Sequence, residues 1–236
     1  GGRYEFRNKG IDILLESLNR LANEPSLDRD VLAFINVPAW VKGPRADLQE
    51  KMMIDNTPLE NPVITHELHN MDSDKALSMM RAIGLNNRPE SRVKVIFVPC
   101  YLDGKDGILN KHYYDIVLGH DLSVYPSYYE PWGYTPLESL AFRIPTLTTS
   151  LAGFGLWVRT YYGKPHPGIT VLDRNDSNYF EVVDGVVERV KEIATIRKDV
   201  RKKYMENARE VSEIALWENN IVYYKQAYSK SLEKII

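Results

Sequence analysis

The sequence predicts an α/β fold of the Rossmann-like type, in which a parallel sheet is covered by helices on both faces. Short apolar runs rich in β-branched residues alternate with segments of helical periodicity. Those runs are continuously apolar, as is typical of strands buried on both faces. Strands separated by helices imply parallel crossovers, and such sheets bind ligands beyond the carboxyl ends of their strands.

The chain opens with a polar, turn-rich loop, Gly1–Gly10, and continues with an amphipathic helix. The apolar residues of this helix recur at helical spacing: Ile11, Leu14, Leu15, Leu18 and Leu21. A doubly wound domain ordinarily begins with a strand rather than with such a loop. We therefore expect the chain to be part of a longer protein.

Further elements follow in order along the chain. Strands are predicted at Val31–Val37, Val93–Val98, Leu122–Tyr125 and Thr146–Thr149, and helices at Asp74–Ile83, at Tyr113–Leu118 and from near Thr135. Between the first two strands, residues 42–72 form a polar, proline-containing excursion. From Tyr179 the sequence is helical and highly charged. These features predict a Rossmann-like domain over residues 1–178, with helices over residues 179–236 that pack on it.

Composition narrows the choice of partners and compartment. The 30 Lys and Arg residues nearly balance the 32 Asp and Glu residues, so the net charge of −2 gives no reason to expect nucleic acid or a membrane surface as a partner. The single cysteine, Cys100, precludes an internal disulfide, and no apolar run suggests a membrane span. We expect a cytoplasmic protein. Its oligomeric state is left open, with a homo-oligomer of the full-length protein as one alternative.

The segment Ser127–Glu138 has the pattern of an anion site at the start of a helix. Gly133 permits close approach of the backbone to a ligand, and Pro136 suits the first helical turn because its missing N–H would be unpaired there. The amides of Gly133, Tyr134 and Thr135 would then be free. Helped by the helix dipole, they form a predicted site for a diphosphate.

Two carboxylates flank this predicted phosphate site. Glu130 precedes the loop and Glu138 lies inside the helix, so both can accept hydrogen bonds from sugar hydroxyls. A phosphate site with two acids suggests a sugar nucleotide. The alternative, taken from spacing alone, is that Glu138 is an ordinary acid of a first helical turn and Trp132 a core residue.

Four stretches resemble the glycogen synthases of the animal and fungal type. They are residues 2–10 (GRYEFRNKG), 92–97 (RVKVIF), 125–136 (YPSYYEPWGYTP) and 150–155 (SLAGFG). The resemblance implies a GT-B glycosyltransferase with two Rossmann-like domains that face a cleft, of which this chain is the C-terminal, donor-binding half. It implies retaining transfer of glucose from UDP-glucose to the non-reducing end of an α-1,4-glucan, with the glucan held by the missing N-terminal domain.

The same resemblance implies a role for individual residues. Arg3 and Lys9 are expected to contact the donor diphosphate, Glu130 the donor sugar and Glu138 the ribose. Tyr113 aligns with the aromatic residue that stacks on uracil, although Tyr114 beside it is an alternative. The phosphate amides belong to Gly133, Tyr134 and Thr135. The expected catalytic residues are Glu130, Arg3 and Lys9.

Several alternatives remain open on sequence alone. The donor is UDP-glucose or ADP-glucose, the acceptor differs in related enzymes, and a non-catalytic nucleotide-binding module would keep the same fold. No cofactor and no metal is expected, because the His66 and His69 pair lacks the spacing of zinc hydrolases. Gly153-Phe-Gly155 is interpreted as a turn near the donor.

The basic residues after Ile196 lie where the family's eukaryotic members place an arginine-rich helix that binds glucose 6-phosphate. Three of the positions that should be basic carry Met205, Asn207 and Glu210. We therefore expect a charged, solvated helix there and no regulation by that ligand.

Overall fold

A computed structural model describes residues 1–54 and 59–233. The helices are α1 (Ile11–Ala22), α2 (Ala46–Ile54), α3 (Lys75–Ala82), α4 (Tyr113–Val117), α5 (Tyr134–Ala141), α6 (Gly153–Tyr162), α7 (Tyr179–Thr195), α8 (Lys198–Ile214) and α9 (Trp217–Glu233). The strands are β1 (Val31–Asn36), β2 (Val41–Pro44), β3 (His66–Leu68), β4 (Val93–Val98), β5 (Ser123–Val124), β6 (Thr146–Thr149) and β7 (Ile169–Leu172). Within these ranges, every helix is too short or too polar to cross a bilayer.

The predicted parallel α/β fold is confirmed. Strand β1 pairs with β4 in parallel register, from Val31 opposite Val93 to Asn36 opposite Val98. Strands β5, β6 and β7 form a second parallel group in that order. The sheet is therefore present as two pieces, and the free edges of β1 and β5 line one cavity of about 710 Å³.

The N-terminal loop lies beside the carboxyl ends of strands in both pieces of the sheet. The Tyr4 ring contacts the Phe97 ring near the end of β4, with centroids 5.7 Å apart. Gly10, which precedes α1, packs against the Pro126 carbonyl just beyond the end of β5. Because β1 pairs with β4 in parallel, the carboxyl end of β1 lies at the same edge as that of β4.

Three local features differ from the sequence-based expectation. The polar excursion contains an antiparallel pair, β2 with β3, and helix α2. Helix α6 and strand β7 were not predicted, because glycines open the helix and the strand is only four residues long. Helix α5 begins at Tyr134, one residue before the predicted start.

The last three helices contact the sheet domain to different extents. Helix α7 packs on α1, where Ser17 Oγ donates to the Ile13 carbonyl (2.8 Å) and reaches the Val183 carbonyl (3.3 Å). Helix α8 packs on α5 through buried Ala208 and Val211. Helix α9 has no buried residue among those described. The division at residue 178 stays a prediction.

Candidate donor-binding site

The N-terminal loop is fixed to the body of the fold by hydrogen bonds at both of its ends. The Tyr4 hydroxyl donates to the Asp74 carboxylate (2.6 Å) and accepts from the Ala76 N–H (3.2 Å). Asp74 also caps α3 by accepting from the Leu77 N–H (3.0 Å). At the other end, Asn8 offers its carbonyl to the Tyr128 N–H (2.8 Å). These bonds hold the loop over the carboxyl ends of the strands.

Gly10 lets the loop approach the segment after β5 closely. Its φ is 67°, a left-handed conformation that favours glycine, and an added Cβ would overlap the Pro126 carbonyl. The loop and the predicted anion segment therefore meet backbone to backbone at this point.

The loop brings Lys9 to Glu130, which is 121 residues further along the chain. Lys9 Nζ forms an ion pair with Glu130 Oε2, and the two side chains are only 14% and 20% exposed. Burial lowers the pKa of the Lys9 ammonium, with Glu5 opposing that change and Arg3 adding to it. The backbone of Glu130 is held by a parallel bridge to Ala152. The two predicted residues thus form one charged pair.

The start of α5 has the geometry expected of an anion site. Gly133 precedes the helix with φ 104°, and an added Cβ would come within 3.3 Å of Glu130 Cγ. The amides of Tyr134 and Thr135 lie in the first turn, where no helix carbonyl is available to them. Tyr134 is well exposed and Thr135 is half-buried. Free donors therefore lie next to the Lys9 and Glu130 pair.

The two candidates for the base-stacking role, Tyr113 and Tyr114, lie in different environments. Tyr113 lines the 710 Å³ cavity together with Lys9, Glu130 and Thr135, and burial is the main cause that raises its hydroxyl pKa far above the usual value. The Tyr114 hydroxyl instead donates to Glu138 Oε1 (3.3 Å). Tyr114 therefore supports Glu138, and the base-stacking role of Tyr113 stays a prediction.

Arg3 stands apart from the other predicted residues. Its side chain is 72% exposed and pairs with Glu5 at 3.3 Å. The loop that carries it is the loop that places Lys9. The described geometry brings Arg3 near the site only through this shared loop, and its role stays a prediction.

Gly153 and Gly155 belong to a helix, and the interpretation of this stretch as a turn was wrong. They lie in the first turn of α6, and the Gly153 N–H donates to the Glu130 carbonyl (2.9 Å). A Cβ at Gly153 would lie within 3.0 Å of the Pro131 carbonyl oxygen, and one at Gly155 would lie 2.5 Å from the Thr149 carbonyl oxygen. Gly153 thus lets α6 pack directly against the Glu130 loop, and Gly155 lets it pack against the end of β6.

The two histidines set aside in the sequence occupy separate environments. His66 is buried on β3, with Nδ1 2.8 Å from Thr65 Oγ1 and Nε2 2.9 Å from the Asp106 carbonyl oxygen. His69 stacks on Trp40 with ring centroids 4.6 Å apart. Cys100 lies near His66, and burial raises the pKa of its thiol to about 12. The expectation that no metal binds stays a prediction.

The basic residues of α8 and its N-terminal end face carboxylates in the structure. Arg197 pairs with Asp199 (2.7 Å), Arg209 with Glu213 (2.7 Å), and Arg201 with Asp121. Such pairs are typical of a charged, solvated helix.

Two residues near the site were missed by the sequence analysis. Tyr114 was named only as an alternative to Tyr113, and Arg174 was not named at all. Arg174 follows the carboxyl end of β7, and recognition of that strand would have placed it at the edge where ligands bind.

Comparison with known proteins places this chain in a family. A family model described as glycogen synthase matches residues 45–236. The glycogen [starch] synthase of Caenorhabditis elegans is 30% identical over 99% of this chain and 43% of its own length. The human liver glycogen [starch] synthase is 34% identical over 73% of this chain and 32% of its own length. The chain thus spans less than half the length of these relatives.

Solved structures show a more distant similarity. WaaG, a glycosyltransferase involved in lipopolysaccharide biosynthesis, is 16% identical with a TM-score of 0.48 over 89% of this chain and 40% of that one. Anabaena Alr3699/HepE in complex with UDP-glucose is 16% identical with a TM-score of 0.39, over 94% of this chain and 55% of that one. The sequence matches are stronger than the structural ones, and they show that this chain belongs to the glycogen synthase family.

Proposed function

We propose that the protein containing this chain transfers glucose from UDP-glucose to the non-reducing-end 4-hydroxyl of an α-1,4-glucan with retention of configuration. In this proposal the chain supplies the donor half of the active site. The observation that carries it is the ion pair between Lys9 and Glu130 beside the free amides that open α5. A cation, a carboxylate and a helix N-terminus together match a sugar diphosphate.

The positive groups act on the leaving group. When the bond between the sugar C1 and the phosphate oxygen breaks, UDP departs with the bonding electrons and gains negative charge. Lys9 and the amides of Tyr134 and Thr135 stabilise that charge more in the transition state than in the ground state. Arg3, on the same loop, adds a second cation. Because these groups supply the positive charge, the proposal needs no metal and no cofactor.

The carboxylates hold the sugars of the donor. Glu130 Oε2 is paired with Lys9, so Oε1 is the oxygen that accepts a hydrogen bond from a glucose hydroxyl. Glu138, supported by the Tyr114 hydroxyl at 3.3 Å, accepts from the ribose. Tyr113 provides a ring for the base. Stacking alone tolerates uracil or adenine, so ADP-glucose remains the alternative donor.

The acceptor is assigned to the part of the protein outside this chain. Without an N-terminal domain, no second wall closes over the donor to exclude water and orient a glucan. We therefore expect the chain to bind UDP without turnover. The proposed setting is cytoplasmic, with no nucleic acid and no membrane as partners, and the full-length protein as the form that engages glucan.

Calorimetry with UDP, UDP-glucose and ADP tests the donor assignment. UDP should bind the chain more tightly than ADP, and Lys9→Ala and Glu130→Ala should each weaken UDP binding at least tenfold. Lys202→Ala and Glu90→Ala remove exposed charges elsewhere and should leave it unchanged. Thermal melts identify variants that fail to fold. UDP binding that is insensitive to both site variants would contradict the donor assignment, and tighter ADP binding would select the alternative donor.

A further inference from the structure

A second cavity, of about 730 Å³, lies beside the donor site. It is referred to here as the Arg174 pocket and is lined by the side chains of Arg7, Asp12, Tyr128, Arg174, Asp176 and Tyr179, among others. The volume falls within the roughly 300–1,000 Å³ typical of small-molecule sites. Its lining includes Asn8 and Tyr128, which are hydrogen-bonded to each other, and the neighbouring Lys9 lines the 710 Å³ cavity.

Arg174 is buried in this pocket without enough partners. The residue is only 8% exposed, and its Nε and Nη1 atoms are buried with no hydrogen-bond acceptor in the described structure. The guanidinium lies over the Tyr128 ring at 5.1 Å. Its backbone is fixed by a bond from the Arg174 N–H to Ser150 Oγ (3.0 Å). Buried donors of this kind are costly unless something accepts from them.

Asp12 also has a buried atom that lacks a hydrogen-bond partner. Its Oδ1 atom is buried and has no donor among the described residues. Burial is the main cause that raises the pKa of this carboxyl, and burial likewise lowers the pKa of Arg174. Asp12 and Arg174 line the same pocket, and these unpartnered atoms are not hydrogen-bonded to each other. A group that accepts from the guanidinium and donates to the carboxylate would give them the partners that they lack.

The charges around the pocket indicate what kind of group fits. Arg7 and Arg174 are balanced by Asp12 and Asp176, so the lining is neutral as a whole. A phosphate would satisfy Arg174 but would meet two carboxylates, and a cation would meet two guanidinium groups. A hydroxyl group accepts from Arg174 and donates to Asp12 at once. A neutral ligand with several hydroxyl groups therefore suits both Arg174 and Asp12.

The aromatic residues supply the remaining surface. Tyr128 is 38% exposed, and Tyr179 is half-buried at the start of α7. The Arg174 guanidinium covers one face of Tyr128. The ring surface that remains, next to donors and acceptors, complements a pyranose ring, whose edges carry hydroxyls and whose faces carry C–H groups. We propose that the Arg174 pocket binds a pyranose unit of a neutral saccharide, with one hydroxyl bridging Arg174 and Asp12. This site is distinct from the donor site and does not depend on its assignment.

Nuclear magnetic resonance titration of the intact chain tests the proposal. Glucose, maltotriose and inorganic phosphate are added separately, with and without saturating UDP, and the Nε–H signal of Arg174 and the amides of Asn175 and Asp176 are followed. Saccharide should shift these signals whether or not UDP is present. A larger effect of maltotriose at equal concentration would assign the ligand to a chain, and equal effects would assign it to a single sugar.

Variants link the shifts to the proposed contacts. Arg174→Gln and Asp12→Asn should each weaken saccharide binding at least tenfold, whereas Arg88→Gln, an exposed arginine elsewhere, should not. The titration of the wild-type chain tests the proposal even if Arg174→Gln does not fold. Shifts with phosphate but not with saccharide would overturn the proposal in favour of an anion site. Absence of shifts with either, or loss of the saccharide effect under UDP, would also overturn it.

Discussion

Gly153→Ala gives the sharpest test of how the fold positions the donor site. The new Cβ would lie within 3.0 Å of the Pro131 carbonyl oxygen, 3.1 Å from the Pro131 carbonyl carbon and 3.3 Å from Trp132 Cα. All three atoms are backbone, so no side chain can rotate away. The loop that carries Glu130 and Gly133 has to withdraw by about 1 Å, a displacement that can cost about 100-fold when it misplaces reacting groups.

Two measurements follow from that displacement. Overpacking of this kind costs about 1–3 kcal/mol of unfolding free energy, and each kcal/mol lowers Tm by about 2–4 °C in a chain of this size. UDP affinity, measured by calorimetry, should fall about tenfold or more. Gly43→Ala is the matched control, because its Cβ would meet nothing within 4 Å and its φ is not in the left-handed range.

The outcome that would refute the reasoning is specific. If Gly153→Ala kept both the melting temperature and the UDP affinity of the wild type, the loop would not depend on close packing of α6. If Gly43→Ala lost as much affinity as Gly153→Ala, the effect would be one of general stability rather than of the site.

Two further predictions concern stability. Asp74→Ala removes both the cap of α3 and the acceptor for Tyr4, and should lower the unfolding free energy by about 1–2 kcal/mol in urea titrations. The control Asp72→Ala changes an exposed neighbour and should lower the unfolding free energy far less. Equal losses in the two variants would contradict the capping role. Burial lowers the pKa of His166 below its ordinary value, so the unfolded chain binds the proton more readily and stability should fall as pH drops through the ordinary histidine range. Between pH 7 and pH 5, the urea midpoint of His166→Gln should change less than that of the wild type. An equal change in the two proteins would exclude His166 as a cause.

The local geometry of the Ser127–Glu138 segment was easier to predict from the sequence than the contacts between distant parts of the chain. The Ser127–Glu138 segment contains its own glycine, proline and carboxylates, so its local geometry follows from neighbouring residues. The contact between Lys9 and Glu130 spans 121 residues. Spacing alone could not supply it, and only the family resemblance pointed to both residues.

Other features escaped prediction for physical reasons. Strand β7 is short, and its pairing depends on β6 rather than on its own pattern. Gly153 looked like a turn residue because glycine favours turns, yet here it permits a helix to pack against backbone. The unpaired atoms of Arg174 are a property of burial, which no sequence pattern reports.

The separation of the sheet into two pieces has a consequence for the isolated chain. In a parallel ladder, N–H and C=O groups alternate between the two edges of a strand, so β1 and β5 each turn a row of them toward the cavity between the strands. Leu32, on β1, is 56% exposed there. Unpaired strand edges with apolar side chains are templates for any extended segment that reaches them. An extended segment that enters this cavity would therefore find backbone donors and acceptors on both sides.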